Sequence, residues 1–338
     1  MITRKELQGN PEALENKVRG AICGLAIGDS FGDAARALDN QKNYGFTTDF
    51  NKSASWSTDD TEFALMVAET VIHCGGDFSE ADVEHMWLKH VATEDELKRG
   101  GYSEMEACAN LRRGLHAPES GRFNPFNHSD GAAMRTGPIG VFCAGQPERA
   151  KRLAEIDATI SHDRDGIWGA QSVAVAVSLA MIDCPMEQIL NTVLETAPEG
   201  SWLKYKYERA FAIVEEAKRD IALAWMKLHD ELNCTSRAAA PEALPGVFSC
   251  LKMEHSSFRS GMLLAANYSR DADTIGAVAG VILGAKFGAE AIPQKWIEKT
   301  RYPSGTCLKF TKGMDLFETA RKLTQLIIND TFEEIWNG

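Results

Sequence analysis

The chain has 338 residues, of which 36 are Lys or Arg and 48 are Asp or Glu, so its formal net charge is −12 with histidine neutral. This excess of acid argues against a nucleic-acid partner, because a protein that neutralises phosphates needs a basic surface. Hydrophobic residues make up 44% and charged residues 25% of the chain, which is the composition of a globular protein rather than a disordered one.

The first residues, Met1 to Glu6, form no apolar stretch of signal-peptide length, and apolar runs elsewhere are too short and glycine-rich to cross a bilayer. The eight cysteines are at least 16 residues apart, so none of them forms a Cys-x-x-Cys pair or a zinc-ligand spacing. We therefore expect a cytoplasmic protein without a membrane partner, whose cysteines are reduced and buried.

Apolar residues recur at steps of three and four, as in Phe63, Met66 and Val67, which is the spacing of an amphipathic helix. The segments 117–130 and 234–246 contain Pro and Gly, but they are too short for domain linkers, and we interpret them as loops. The sequence therefore predicts a single all-α domain covering residues 1–338.

Glycine recurs at every fourth residue in two apolar segments, 20–32 and 276–288. Each glycine inside a helix costs about 1 kcal/mol relative to alanine, so close packing must compensate for it. A step of four places the glycines on one helix face, where another backbone can approach. The alternative is that some glycines end the helix, and for Gly28 and Gly32 both interpretations stay open.

Adjacent acids occur in Ser57-Thr58-Asp59-Asp60-Thr61-Glu62, just before a predicted helix. Carboxylates with flanking hydroxyls offer the hard oxygen ligands that Mg²⁺ or Mn²⁺ prefers. Helix capping is the competing interpretation, because Asp59 followed by Glu62 three residues later matches a capping box and acids favour the positive end of the helix dipole.

A second acid pair, in Asp271-Ala272-Asp273-Thr274, also stands directly before a predicted helix. The same Asp and Thr chemistry at two helix starts favours a shared metal site over two unrelated caps. Four carboxylates and two hydroxyls supply enough oxygens for two divalent cations, which can activate a water and bind substrate hydroxyls.

Several motifs, in their order along the chain, resemble those of the ADP-ribosylglycohydrolase family, and the resemblance runs from about Val18 to Leu326. Thr58-Asp59-Asp60-Thr61 resembles that family's T-D-D-T metal motif, and Asp271-Ala272-Asp273-Thr274-Ile275 resembles its D-x-D-T-I motif. The segment 20–32 is similar to its opening helix, Asp130-Gly131-Ala132-Ala133-Met134-Arg135 to its N-G-x-x-M-R loop, and Ser161-His162 to its Ser/Thr-His pair.

The resemblance implies an all-α, orthogonally packed helical domain with a dinuclear cleft for two Mg²⁺ ions, or Mn²⁺. It implies hydrolysis of the glycosidic bond at ribose C1 of an ADP-ribosyl substrate, which includes ADP-ribosylated proteins. The metal ligands would be Thr58, Asp59, Asp60, Asp271, Asp273 and Thr274, and the substrate contacts would be Gly131, Ala132, Met134 and His162. For His162, a satisfied polar contact in a helix cap is the alternative.

Cleavage of a ribosyl bond builds oxocarbenium character at C1, so nearby carboxylates help and metal ions lower the pKa of the attacking water. A carboxylate must then accept a proton. Asp60 and Asp273 are the candidates for this catalytic role, although a carboxylate fully committed to metal is a poor base.

The sequence departs from the family at the edge of this site. Arg36 stands where many members carry a Glu, and Asp33 could replace that Glu only if the loop is rebuilt. Gly100-Gly101-Tyr102 stands where some members place an acid, and Ser269-Arg270 replaces a common Gly-Gly. Arg36 and Arg270 are either surface charges or contacts for an anionic part of the substrate.

These departures leave two further hypotheses open. One is a nucleoside or ribosyl hydrolase that uses a smaller substrate on the same fold. The other is a non-catalytic relative that binds ADP-ribose, or one that has kept only the scaffold.

Overall fold

The computed structural model describes residues 1–50, 57–93, 97–218 and 220–334. Over these residues there is no β-strand, and the only extended pairing is an isolated antiparallel bridge between Ser129 and Ala239. The all-α prediction is therefore confirmed. The helices are α1 (Arg4–Gln8), α2 (Pro11–Arg36), α3 (Leu38–Tyr44), α4 (Asp59–His73), α5 (Glu80–His90), α6 (Tyr102–Arg112), α7 (Glu119–Arg122), α8 (Gly131–Arg135), α9 (Gly137–Phe142), α10 (Pro147–Ala158), α11 (Asp165–Met181), α12 (Met186–Thr196), α13 (Trp202–Glu216), α14 (Ile221–Leu232), α15 (Ala240–Met253), α16 (Phe258–Ala266), α17 (Ala272–Phe287), α18 (Gln294–Thr300) and α19 (Leu316–Asn329).

Two segments that we interpreted as loops contain helix. Helix α7 lies inside 117–130, and α15 begins at Ala240 inside 234–246. Pro241 is in the first turn of α15, where the missing N–H has no intrahelical partner to lose. A proline at this position therefore marks a helix start rather than a break.

The two glycine-rich helices, α2 and α17, form the most extensive helix–helix interface of the described chain. They run antiparallel: a methyl group added at Gly24 would overlap the carbonyl oxygen of Gly280, and one added at Gly28 would overlap that of Gly276. The added atom would meet backbone in both cases, so no rotamer change could relieve the overlap. The glycines therefore serve close backbone packing, as the step of four predicts.

The alternative that Gly28 and Gly32 end the first glycine helix is wrong, because α2 continues through both to Arg36. Gly288 does end its helix: it follows α17 with a φ of 77°, in the left-handed region that favours glycine. Seven of the glycines in the repeat therefore pack inside a helix against the opposing backbone: Gly20, Gly24 and Gly28 of α2 pair with Gly284, Gly280 and Gly276 of α17, and Gly32 packs against the carbonyl group of Ala272.

A large apolar core surrounds this helix pair and includes residues from Leu7 in α1 to Ile327 in α19. None of the described helices is both long enough and apolar enough to span a membrane. The packing of α2 against α17 brings the carboxyl end of α2 to the amino end of α17, where the second acid pair lies.

Candidate functional site

Residues from the end of α2 and from the starts of α4, α8 and α17 border one cavity of about 440 Å³. The structure thus brings together the two acid motifs, which are more than 200 residues apart in the sequence. Three of the predicted site residues, Thr58, Ala132 and His162, are buried and do not border it. The predicted residues that line the cavity are Arg36, Asp59, Asp60, Gly131, Met134, Asp271, Asp273 and Thr274.

Asp29, an acid in the middle of α2, positions the first motif. Its carboxylate accepts hydrogen bonds from the backbone N–H of Thr58 at 2.9 Å and of Thr61 at 3.2 Å, and from the hydroxyl groups of both threonines. Burial raises the pKa of Asp29 to about 6. Our sequence interpretation did not assign it a role, although an acid on an otherwise apolar, glycine-rich helix was a signal that could have found it.

The capping alternative holds only in part. Thr58 is the N-cap of α4 and accepts a hydrogen bond from the Asp60 N–H at 3.4 Å, so Asp59 is not the cap. Asp271 is the N-cap residue of α17, but its side chain makes no capping hydrogen bond. The Asp271 carboxylate is therefore available for other partners.

Glu62 does not complete a capping box either, because its carboxylate binds the distant segment 304–308. It accepts hydrogen bonds from the N–H groups of Thr306, Cys307 and Leu308 at 3.1, 2.9 and 2.7 Å. This buried carboxylate therefore attaches the loop before α19 to the start of α4.

Replacement of Glu62 by glutamine should lower the free energy of unfolding by about 2 kcal/mol, because a neutral amide leaves buried N–H groups without an acceptor. Urea unfolding would measure the change. Glu318→Gln is the matched control, since Glu318 pairs with Arg321 on the surface, where water screens the pair and its loss should change the stability much less than the loss of Glu62 does. Equal changes in the two variants would contradict this role of Glu62.

The carboxylates around the cavity carry more negative charge than their surroundings satisfy. Asp60 is 2% exposed and its Oδ1 has no hydrogen-bond partner, and the same is true of Oδ2 of Asp130, which is 3% exposed. Burial and the neighbouring Asp273 raise the pKa of Asp60 well above its usual range, and burial and Asp271 do so for Asp130. Buried, unpartnered carboxylate oxygens fit a hard cation such as Mg²⁺.

Arg36 borders the cavity and is paired with acids rather than being a surface charge, while its contact with an anionic part of the substrate stays a prediction. Its side chain is 21% exposed and its guanidinium contacts three acids: Asp271 at 3.1 Å, Asp273 at 2.5 Å and Asp33 at 3.1 Å. Burial lowers the pKa of Arg36, but Asp273 and Asp271 outweigh that effect and hold it above its ordinary value. Asp33, which we considered as a replacement for the missing Glu, also pairs with Arg99 at 2.6 Å.

In the described part of the chain, no three His, Cys, Asp or Glu side chains converge as a preformed metal cage. The dinuclear cleft that the resemblance implies therefore stays a prediction. The first motif, with its unpartnered Asp60 oxygen, fits a metal ion, whereas Asp271 and Asp273 of the second motif are engaged with a guanidinium.

Helices α6 and α8 also contribute residues to the cavity wall. Gly131 and Met134 border the cavity, whereas Ala132 packs with Ala158, Ile167 and Ala170 in a small apolar cluster of its own. The predicted contact of Ala132 with a nucleotide would thus not come from its side chain.

Glu104 on α6 is a cavity residue that our sequence interpretation missed. It is fully buried, and a methyl group on Gly131 would overlap its carboxylate, so the two residues pack closely against each other. Glu104 lies two residues after Gly100-Gly101-Tyr102, the segment in which some family members have an acid and this chain has none.

His162 lies behind the cavity wall and is 1% exposed. Its Nε2 is 2.8 Å from the hydroxyl of Ser129, which borders the cavity, and its Nδ1 is 2.7 Å from the hydroxyl of Ser161. Burial, together with Arg135, lowers the pKa of His162 well below its usual value. The geometry favours a positioning role for this histidine through Ser129, while direct substrate contact stays a prediction.

His162→Gln should make the stability of the protein less sensitive to acid. The folded protein holds His162 neutral, whereas the unfolded chain takes up a proton below about pH 6.5, so folding loses up to about 1.4 kcal/mol per pH unit as the pH falls further. The stability difference between wild type and variant should therefore shrink between about pH 7 and pH 5 in urea unfolding. A difference that stays constant with pH would contradict a buried neutral imidazole.

Ser269 and Arg270, just before the second motif, have φ values of 79° and 61°. This left-handed conformation favours glycine, which gives a physical reason for the Gly-Gly that is common in the resembled family. In this chain Arg270 is held by the carboxylate of Glu242 and by the Cys234 carbonyl oxygen at 2.9 Å. Arg270 is therefore a partner of Glu242, while contact with an anionic part of the substrate stays a prediction.

The family profile described as ADP-ribosylglycohydrolase matches residues 10–331. An uncharacterised protein of Archaeoglobus fulgidus is 32% identical over 299 residues, which span 84% of this chain and 92% of that protein. The ADP-ribosylarginine hydrolase Tri1 of Pseudomonas putida is 24% identical over 306 residues, which span 86% of this chain and 76% of the relative. A solved structure described as an ADP-ribosylglycohydrolase-related protein complex has the same fold, with a TM-score of 0.65 and 22% identity over 93% of this chain and 99% of that one.

Proposed function

The chain belongs to the ADP-ribosylglycohydrolase family, and we propose that it is a magnesium-dependent hydrolase of the glycosidic bond at ribose C1 of an ADP-ribosyl substrate. The substrate would be an ADP-ribosylated protein side chain or an ADP-ribosyl small molecule. The observation that carries the proposal is that both acid motifs, one from the start of α4 and one from the start of α17, border one cavity.

Negative charge at the cavity suits the chemistry. Loss of the group on C1 leaves positive charge on the ribose ring, and buried carboxylates stabilise that charge more strongly than water does. Asp60 and Asp130 each present a buried oxygen without a hydrogen-bond partner. We assign Asp130 to the electrostatic stabilisation of the reacting sugar, whereas the Asp60 oxygen would be a ligand of the metal ion.

The first motif, Thr58 to Asp60, carries the residues that would hold magnesium, which would supply a more acidic water and a contact for ribose hydroxyls. Asp271 and Asp273 of the second motif are engaged with Arg36. The attacking water would have to give up a proton, and a carboxylate of the cavity would accept it. Asp273 is engaged with Arg36, so it is a poorer acceptor than we predicted. Asp130, which borders the cavity and has an unpartnered Oδ2, is a better placed proton acceptor than Asp273.

The cations at the cavity support a second candidate function. Arg36, Arg99 and Arg237 border the cavity, and each forms an ion pair with an aspartate. A diphosphate would have to compete with these carboxylates for the guanidinium groups. An uncharged ribosyl substrate such as a nucleoside would not, so hydrolysis of a nucleoside is the alternative.

The test is a substrate panel: purified protein with Mg²⁺ is incubated with ADP-ribosyl-arginine, ADP-ribosyl-serine and a set of nucleosides, and the products are separated by chromatography. We expect ADP-ribose to be released from at least one ADP-ribosyl substrate, and EDTA to suppress the release. Cleavage of nucleosides alone would favour the second candidate. Cleavage of none of them would contradict both.

A further inference from the structure

Arg36 is the last residue of α2, and its guanidinium lies between the acids that end α2 and those that begin α17. We propose that this guanidinium is a permanent cation that replaces one of two metal ions, so that the chain binds a single divalent ion, at Thr58, Asp59 and Asp60. This inference deepens the proposed function and relies on it for the kind of ion.

The contacts of Arg36 occupy three of the four carboxylate oxygens of the second motif, which a second ion would need. Nη1 contacts Asp271 at 3.1 Å and one oxygen of Asp273 at 2.5 Å, while Nη2 contacts the other oxygen of Asp273 at 2.5 Å. Both carboxylate oxygens of Asp273 therefore face the same planar fork, which is the geometry that arginine forms with carboxylates. A divalent ion on these oxygens would lie within a few ångströms of a positive group that does not lose its charge.

The acids that contact Arg36 have cationic partners without any metal. Asp33, Asp271 and Asp273 form ion pairs with three arginines: Arg36 contacts all three acids, Arg99 contacts Asp33, and Arg237 contacts Asp271 at 3.2 Å. Each of these three acids is thus paired with at least one arginine, so a divalent ion here would have to compete with guanidinium groups for the carboxylate oxygens.

The first acid motif, which borders the same cavity, has no such arginine partners among the described residues. Over the described residues, no ion pair involves Asp59 or Asp60, and Oδ1 of Asp60 has no hydrogen-bond partner. Two carboxylates with a neighbouring Thr58 hydroxyl match the charge and the ligand preference of one divalent ion. The asymmetry between the two motifs, rather than the acids alone, points to one ion and to its position.

The number of bound ions decides the proposal. Calorimetric titration with Mg²⁺, and counting of bound Mn²⁺ by electron paramagnetic resonance, should both give one ion per wild-type chain. Arg36→Met keeps the length of the side chain but removes its charge, so this variant should bind two ions. Two ions in the wild type, none in the wild type, or one in a folded Arg36→Met variant would each overturn the proposal.

Arg237→Gln is the matched control. Arg237 pairs with the same Asp271, but its side chain is 54% exposed and it makes a single contact with that acid. We expect this variant to bind one ion, as the wild type does. A second ion in Arg237→Gln would assign the effect to net charge and overturn the specific role of Arg36.

A further pair of variants keeps the proposal testable if Arg36→Met does not fold. Asp60→Asn should weaken binding of the ion at least 100-fold, whereas Asp273→Asn should change it less than tenfold. An equal loss of affinity for the ion in the Asp60→Asn and Asp273→Asn variants would overturn the proposal. The substrate panel tests the proposed function independently of the number of bound ions. If the wild type bound one ion but hydrolysed no substrate, the proposed function would be contradicted and the inference about the number of ions would stand.

Discussion

Replacement of Gly280 by leucine is expected to lower the free energy of unfolding by about 3 kcal/mol or more, at or above the usual range for overpacking a core. The first atom of any side chain at this position would overlap the carbonyl oxygen of Gly24 on α2. The two helices would have to separate along their length, because neither backbone can move aside locally. Chemical denaturation of the purified variant would measure the loss.

Gly246→Ala is the control for this prediction. It is also a helix glycine, on α15, but a methyl group there would lie 3.0 Å from a ring atom of Tyr268, which is a side chain. The gain of about 1 kcal/mol in helix propensity should offset much of the cost of a small ring movement. If Gly280→Leu unfolded at the same denaturant concentration as Gly246→Ala, the close backbone contact would be disproved.

Replacement of Asp60 by asparagine should weaken the affinity for magnesium at the start of α4 by at least about 100-fold. The rate of hydrolysis should fall by at least the same factor, because it depends on the bound ion. The substitution keeps the size of the side chain but removes the buried negative charge whose Oδ1 lacks a partner. Calorimetric titration would measure the affinity and the substrate panel the activity.

Thermal unfolding gives an independent readout for Asp60. Because burial raises the pKa of this carboxyl, ionised Asp60 destabilises the metal-free protein, so Asp60→Asn should melt at the same or a higher temperature without Mg²⁺. Added Mg²⁺ should raise the melting temperature of the wild type but not of the variant. Asp39→Asn, on the exposed side of α3, should behave as the wild type in both conditions. A Mg²⁺-dependent rise in Asp60→Asn would remove Asp60 from the predicted ligands.

The parts of the fold and site that the sequence predicted are those that follow from local spacing. Glycine at every fourth residue predicts a single packing face, and α2 and α17 use that face. Acids before an apolar periodic segment predict helix starts, and both Asp59 and Asp271 are found there. Each of these patterns lies within one helix, so no knowledge of distant contacts was needed.

The parts that the sequence did not predict depend on contacts between distant segments. Arg36 and Asp271 are 235 residues apart, and nothing in the local sequence of either indicates that they pair. Asp29 meets Thr58 across 29 residues, and the side-chain direction of Ala132 depends on where α11 packs. Pairing of this kind becomes visible only once the helices are placed.

The α2–α17 contact also limits how this chain can vary in evolution. When two side chains meet in a core, a substitution that enlarges one of them can be offset by a substitution that makes the other smaller. At Gly24 and Gly280 each partner is a carbonyl group, which every residue type carries, so a substitution on one helix has no counterpart on the other that would restore the space. A change in this contact would instead require a shift of the whole helix, and with it a new distance between the acids that α17 presents and those of α2 and α4.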